Sequence, residues 1–202
     1  MPINSTTIRA HLQQDKILQC ILHHRTEYTI APKKNLFRFI CHSIISQQLN
    51  TRVAAVLIER FEQVIGHKNT RPEYLLNVDD DDLRKIGLSA SKVTYLKAVA
   101  RYFTDTRMTD ARLYRMDDQD VIDTLVQIKG IGRWTAQMVL VFGMGRPDVF
   151  APDDLVIRQA MIDLYKLPTL SGKALTEQLE TIAENWQPYR SYAMLHLWAT
   201  RG

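Results

Sequence analysis

Apolar residues recur at three- and four-residue spacing along most of this chain, the pattern of amphipathic helices. Leu36, Phe37, Ile40, Ile44 and Ile45 mark one run within 36–49. Val53, Val56, Leu57, Phe61 and Val64 continue it over 52–65. The same period returns in 92–103, 120–128 and 134–142. Aspartates stand before several of these runs, at Asp79 to Asp82, at Asp117 and Asp118, and at Asp153 and Asp154. They read as N-caps and as first-turn anions facing the positive end of a helix. Proline and glycine punctuate between the runs, for example at Pro72, Gly87, Gly145, Pro147 and Pro152. No segment alternates with a two-residue period, and the extended stretch YTIAP at 28–32 is too short to found a sheet. The predicted fold class is all-α.

A weak internal echo adds detail. LRKIGLSASKVTYLKAV, 83–99, reads helix, glycine, helix, and LVQIKGIGRWTAQMVL, 125–140, repeats it with a fuller glycine turn. In the second unit Leu125, Ile128, Ile131, Ala136 and Leu140 are apolar, Gly130 and Gly132 occupy the turn, and a new helix opens near Arg133. Two glycines around one apolar residue let the backbone turn sharply and approach another molecule. The N–H groups at the following helix start suit an anion such as a DNA phosphate. Lys129 and Arg133 flank the turn and add attraction for that backbone. A dinucleotide fingerprint is excluded, because Thr135 stands where its third glycine belongs and no strand precedes it. An αα-hairpin that only packs fits the same turn.

Composition narrows the class without deciding it. Of the 202 residues, 46% are apolar, enough for a substantial core. The formal net charge of +4 suits a nucleic-acid binder and many ordinary enzymes alike. No apolar run reaches the roughly 18 residues of a membrane span, and the start of the chain lacks a basic-then-apolar leader pattern. An intracellular protein is expected: cytoplasm or nucleoid in a bacterium, nucleus in a eukaryote. The two cysteines, Cys20 and Cys41, offer no zinc knuckle or four-cysteine cluster and read as small core residues. His11, His23, His24, His42, His67 and His196 lack metal-site spacing.

Downstream of the hairpin lies GRPDVFAPDDLVIRQA, 145–160, where Pro152 starts a turn and Asp153 and Asp154 sit at the mouth of the next helix. A carboxylate there is fixed by its own helix start, although capping alone also puts an Asp-Asp pair in such a place.

The hairpin and this segment together resemble the signature of the helix-hairpin-helix DNA glycosylase superfamily, and within it the 3-methyladenine DNA glycosylase II family. Three further segments carry the likeness to both ends: FRFICHSIISQQLNTRVA at 37–54, LRKIGLSASKVTYLKAVA at 83–100 with its Gly-x-Ser-x-x-Lys, and WQPYRSYAMLHLWATRG at 186–202. The resemblance implies a two-lobed helical fold. One lobe spans 30–146 and carries the hairpin, the other is formed by 1–29 with 147–202, and the active site lies in the cleft between them. It implies that Asp154 is catalytic and Asp153 a cap. Lys129, Gly130, Ile131, Gly132 and Arg133 would grip DNA, and Gln48 or Leu49 would insert into the minor groove as a plug. Trp134 and Trp198 would line the pocket for the base. The hairpin would hold a Na+ or K+ ion through carbonyls around Val126, Ile128 and Ile131, with no other cofactor. Leu155 and Ala199 stand where some members carry aromatics, which leaves the damage spectrum open.

The activity so implied is that of a monomeric, monofunctional glycosylase acting on double-stranded DNA with alkylated bases. The base leaves the stack, and an ionised Asp154 stabilises the charge that grows on the sugar and directs water. An aromatic pocket attracts a cationic base. A bifunctional glycosylase/lyase of the endonuclease III type would need a lysine where Trp134 stands, and often four clustered cysteines. A non-catalytic helix-hairpin-helix DNA-binding module would explain Gly130 and Gly132 but not Asp154. Tyr189, Arg190 and Tyr192 read as a packing cluster, with Arg190 directed toward Asp154 or DNA.

Overall fold

The computed structural model describes residues 5–22, 30–66 and 71–201, and among them every regular element is helical. Tyr28 and Thr29 of the extended stretch, and His23, His24 and His67, lie outside the described residues. None of the described helices is long and apolar enough to cross a membrane. The first helix, α1, is Ser5–Leu12. There follow α2 (Leu36–Ser46), α3 (Thr51–Ile65), α4 (Pro72–Asn77), α5 (Asp80–Lys85), α6 (Ala90–Asp105), α7 (Asp110–Tyr114), α8 (Asp118–Leu125) and α9 (Arg133–Met138). The last three are α10 (Leu155–Tyr165), α11 (Gly172–Glu184) and α12 (Arg190–Ala199). The chain divides into two compact units, one made of Met1–Ala31 with Gly145–Gly202 and the other of Pro32–Met144.

In the unit Pro32–Met144 the core is built on α2 and α6, which pack together and carry α3 and α4 on their flanks. Phe37 of α2 meets Phe103 of α6 with ring centroids 5.4 Å apart. Short polar residues start the helices: Asn35, Asn50, Ser89 and Thr109 each accept from a backbone N–H in the first turn of α2, α3, α6 and α7. Each such cap contributes about 1 kcal/mol. Asp79 caps α5 in the same way, whereas Asp117 makes no side-chain cap bond.

Helix α3 is rotated from the expectation. Its buried stripe is Ala54, Leu57, Phe61, Glu62 and Ile65, and Val53, Val56 and Val64 face outward. Ala54, Leu57, Phe61 and Ile65 themselves recur at helical spacing, and Glu62 beside them is satisfied by α2: its Oε1 accepts from Arg38 Nε at 2.7 Å and lies 2.5 Å from His42 Nε2. A stripe counted from apolar residues alone cannot include a buried glutamate. The expected helix over 134–142 also changes character, for α9 stops at Met138 and a π turn, Val139–Gly143, follows. There α2 packs so closely that a Cβ on Gly143 would lie 2.9 Å from Phe39 Cδ1.

In the other unit, Trp186 is fully buried. Its indole N–H donates to Asp15 Oδ2 at 3.0 Å, and the Tyr165 hydroxyl donates to the same oxygen at 2.5 Å. Asp15 Oδ1 accepts from the backbone N–H groups of Ile17 and Leu18. One carboxylate thus joins the segment after α1 to α10 and to the end of α11. Cys41 is buried as expected, but Cys20 is exposed on a single 3₁₀ turn, Leu18–Ile21, that turns only Leu18 inward.

Candidate functional site

Leu125, Ile128 and Ile131 are buried and anchor the connection from α8 to α9 as a hairpin. The two glycines of its turn have different reasons. Gly130 sits at φ +96°, and a Cβ there would lie 2.2 Å from Cγ of Tyr95 on α6. Both backbone and packing therefore demand glycine. Gly132, the N-cap of α9, has extended backbone, and an added Cβ would meet nothing within 4 Å. Its surroundings are open to another molecule. Lys129, Arg133 and Trp134 are exposed beside it. Val126 is exposed, while the Ile128 carbonyl accepts from Ile131 N–H at 3.0 Å and keeps its second lone pair.

The turn after α2 is tied to this hairpin. Gln47 Nε2 donates to the Gly130 carbonyl at 3.1 Å and to Thr135 Oγ1 at 3.4 Å. Thr135, at the position that excluded a dinucleotide fingerprint, is buried as that acceptor. Gln48 follows with φ +58° and is exposed, whereas Leu49 is half-buried. Lys92 of α6 closes the arrangement, its ammonium donating to the carbonyls of Ile45 at 2.7 Å and Gln47 at 3.0 Å. A concave pocket of about 540 Å³ opens here, lined by Gln47, Gln48, Ser89, Lys92, Tyr95 and Gly130 among others. Sequence reasoning did not assign Gln47, Lys92 or Tyr95. The signal available was the helix-glycine-helix echo around Gly87, which brings α6 against the hairpin.

The carboxylate lies in the unit containing Gly145–Gly202. Asp154, and not Asp153, is the N-cap of α10, its Oδ1 accepting from Val156 N and Ile157 N, both at 2.9 Å. Asp153 as the cap is thus corrected: its side chain is exposed and lies 3.9 Å from the Arg158 guanidinium. The Pro152 turn delivers the second aspartate, not the first, to the helix mouth. Trp198 of α12 donates its indole N–H to Asp154 Oδ1 at 3.2 Å. Three N–H groups therefore converge on one oxygen of a carboxylate that is only 6% exposed. Leu155, the next residue, is 80% exposed.

The loop preceding Asp154 is fastened to the start of α12. Arg190 pairs with Asp148 through Nε at 2.7 Å and Nη2 at 3.0 Å. Ser191 Oγ donates to the Arg146 carbonyl at 2.8 Å and accepts from Val149 N at 2.9 Å. Arg190 does not point to Asp154 as expected, since its Nε and Nη2 hold Asp148. Asp154 and Trp198 thus belong to one unit, while Trp134, the hairpin and the Gln47–Leu49 turn belong to the other.

Residues 41–188 match the model of the HhH-GPD superfamily base excision DNA repair protein family. The putative DNA-3-methyladenine glycosylase YfjP of Bacillus subtilis is 32% identical over 170 residues, covering 81% of this chain and 58% of that protein. DNA-3-methyladenine glycosylase 1 of Schizosaccharomyces pombe is likewise 32% identical, covering 83% of this chain and 73% of its own length. The chain therefore spans little more than half of the first relative and about three quarters of the second. A solved structure of the S. pombe 3-methyladenine DNA glycosylase in complex with abasic DNA superposes with a TM-score of 0.81 at 29% identity, covering 96% of each chain.

Proposed function

This chain belongs to the HhH-GPD superfamily of base excision DNA repair proteins, and from that membership we propose that it is a monofunctional DNA glycosylase releasing alkylated bases of the 3-methyladenine type from double-stranded DNA. The observation that carries this reading is the carboxylate of Asp154, nearly buried and fixed by three N–H donors at a helix mouth. The names of its B. subtilis and S. pombe relatives point to the same reaction.

The hairpin from Lys129 to Arg133, exposed at Lys129, Gly132 and Arg133, grips the phosphate backbone through N–H groups and two cations, and reads no base edge. Gln48, exposed at the tip of its turn, is the side chain that enters the minor groove and fills the space of the flipped nucleotide. Trp134 and Trp198 offer aromatic surface to a cationic base, an attraction of about 0.5–2 kcal/mol. Carbonyls of Val126, Ile128 and Ile131 form a set of neutral, hard oxygen donors that would suit a Na+ or K+ ion, which would add positive charge beside the phosphate. The protein works as a monomer, inside the cell, where the chromosome is.

In the reaction the bond from C1′ to the base nitrogen breaks, and its electron pair leaves with the base. A methylated purine already carries a positive charge and departs neutral, so it needs no general acid. The ionised Asp154 stabilises the positive sugar and orients a water, whose oxygen bonds to C1′ while its proton passes to the carboxylate or solvent. Trp134 offers no amine for a Schiff base, so the strand stays intact. The test is a labelled duplex with one alkylated adenine, incubated with purified protein and analysed with and without alkali. Base release with strand cutting only after alkali is expected. Cutting without alkali, with a borohydride-trapped adduct, would establish a lyase; binding with no base release would establish a non-catalytic module.

A further inference from the structure

We propose that Lys92 is a positioning residue that holds Gln48 in its left-handed conformation, ready for insertion into DNA. The inference rests on the reading of the Gln47–Leu49 turn as the minor-groove plug. Gln48 has φ +58°, a region that costs a residue with a Cβ free energy and persists only where neighbours impose it. The carbonyl of Gln47 belongs to the peptide group that enters Gln48, so its direction sets that φ.

Lys92 controls that carbonyl. Its Nζ donates to Gln47 O at 3.0 Å and to Ile45 O at 2.7 Å. The Ile45 carbonyl needs such a donor: the amide four residues on, that of Leu49, bonds instead to Ser46 O at 3.2 Å. The ammonium therefore replaces the N–H groups that the end of α2 lacks. Lys92 is itself seated in the first turn of α6, where its own N–H donates to Ser89 Oγ at 3.3 Å. On the other side of the same peptide group, the Gln47 side chain is tied to the hairpin through Gly130 O. The peptide entering Gln48 is thus held from α6 by charge, while the Gln47 side chain is held to the hairpin by its own amide, a bond that does not involve Lys92. A lysine beside a phosphate-binding hairpin is ordinarily read as a phosphate ligand, yet two of this ammonium's three protons are directed at carbonyls.

The two roles separate experimentally. A duplex carrying a stable abasic-site analogue with 2-aminopurine beside it reports insertion by fluorescence and requires no catalysis. An undamaged duplex titrated at several salt concentrations counts phosphate contacts. For Lys92→Met the insertion signal should fall roughly tenfold or more, as expected for loss of charge-assisted hydrogen bonds. Affinity for undamaged duplex and its salt slope should match the parent protein. A salt slope reduced by about 0.9, one phosphate contact, with insertion intact would make Lys92 a phosphate ligand and overturn the proposal. So would an unchanged insertion signal in the variant, or none in the parent. Independently of the variant's folding, the Lys92 ammonium in the parent should appear by 15N NMR as a slowly exchanging, hydrogen-bonded group. Exchange as fast as that of exposed lysines would overturn the proposal too. Base release by the parent is assayed separately, so a failed glycosylase reading remains distinct from a failed role for Lys92.

Discussion

The indole N–H of Trp198 points at Asp154 Oδ1 over 3.2 Å, so a tryptophan expected from the sequence to face the base also orients the carboxylate. Trp198→Phe keeps the aromatic ring and removes the donor. It should lower the single-turnover rate of base release by about tenfold, the worth of one hydrogen bond to a charged group, while leaving DNA affinity within twofold. A rate equal to the parent's would show that the two backbone amides suffice.

Asp154 caps α10 and is proposed to be the catalytic carboxylate, and one substitution separates the two tasks. In Asp154→Asn the amide oxygen still accepts from Val156 N and Ile157 N, so the loss of thermal stability should stay near or below about 1 kcal/mol. Base release should fall at least about a hundredfold, because the charge proposed to stabilise the sugar is gone. Asp153→Asn should stay within about 0.5 kcal/mol of the parent in stability, since it removes only an exposed, long ion pair. Thermal melts and base-release assays on the same preparations check both.

The two hairpin glycines should respond oppositely. Gly130→Ala places a Cβ against the Tyr95 ring in a backbone conformation that alanine resists, and should cost about 1–3 kcal/mol. Gly132→Ala meets nothing in the protein and should leave the melting temperature within a few degrees, yet weaken binding to undamaged duplex. Equal stability losses at the two positions would refute this division.

Asp15 gives one unit a defined acid response. Burial pushes its carboxyl up, but hydrogen bonds from Tyr165, Leu18, Trp186 and Ile17 outweigh that and hold it below its usual 3.8. With the folded-state value depressed, the stabilisation is fully present above 3.8 and is lost as pH falls through the folded-state value. Asp15→Asn should therefore be less stable than the parent at neutral pH, with the difference shrinking below about pH 3.8. Denaturant unfolding followed by tryptophan fluorescence measures it. A gap that stays constant down to strongly acid pH would remove Asp15 from this role.

The helical character of the chain, the hairpin at Gly130 and the family resemblance were legible in the sequence, because they rest on local spacing: apolar residues three and four apart, and glycine where a turn passes close to a neighbour. Which aspartate caps α10 was not legible. Asp153 and Asp154 are adjacent and chemically equal, and only the path of the Pro152 turn brings the second to the helix mouth. The face of α3 was ambiguous, since valines and the stripe of Ala54, Leu57, Phe61 and Ile65 compete along it, and only packing buries the second set and lets Glu62 meet Arg38 and His42 on a different helix. Lys92 lies 45 residues from Gln47, and its role exists only because packing of α6 against α2 carries an ammonium to two carbonyls. The sequence by itself determined which segments coil and which chemical groups are present; tertiary packing decided which of those groups meet, because the hydrogen bonds and ion pairs that join them link residues far apart along the chain.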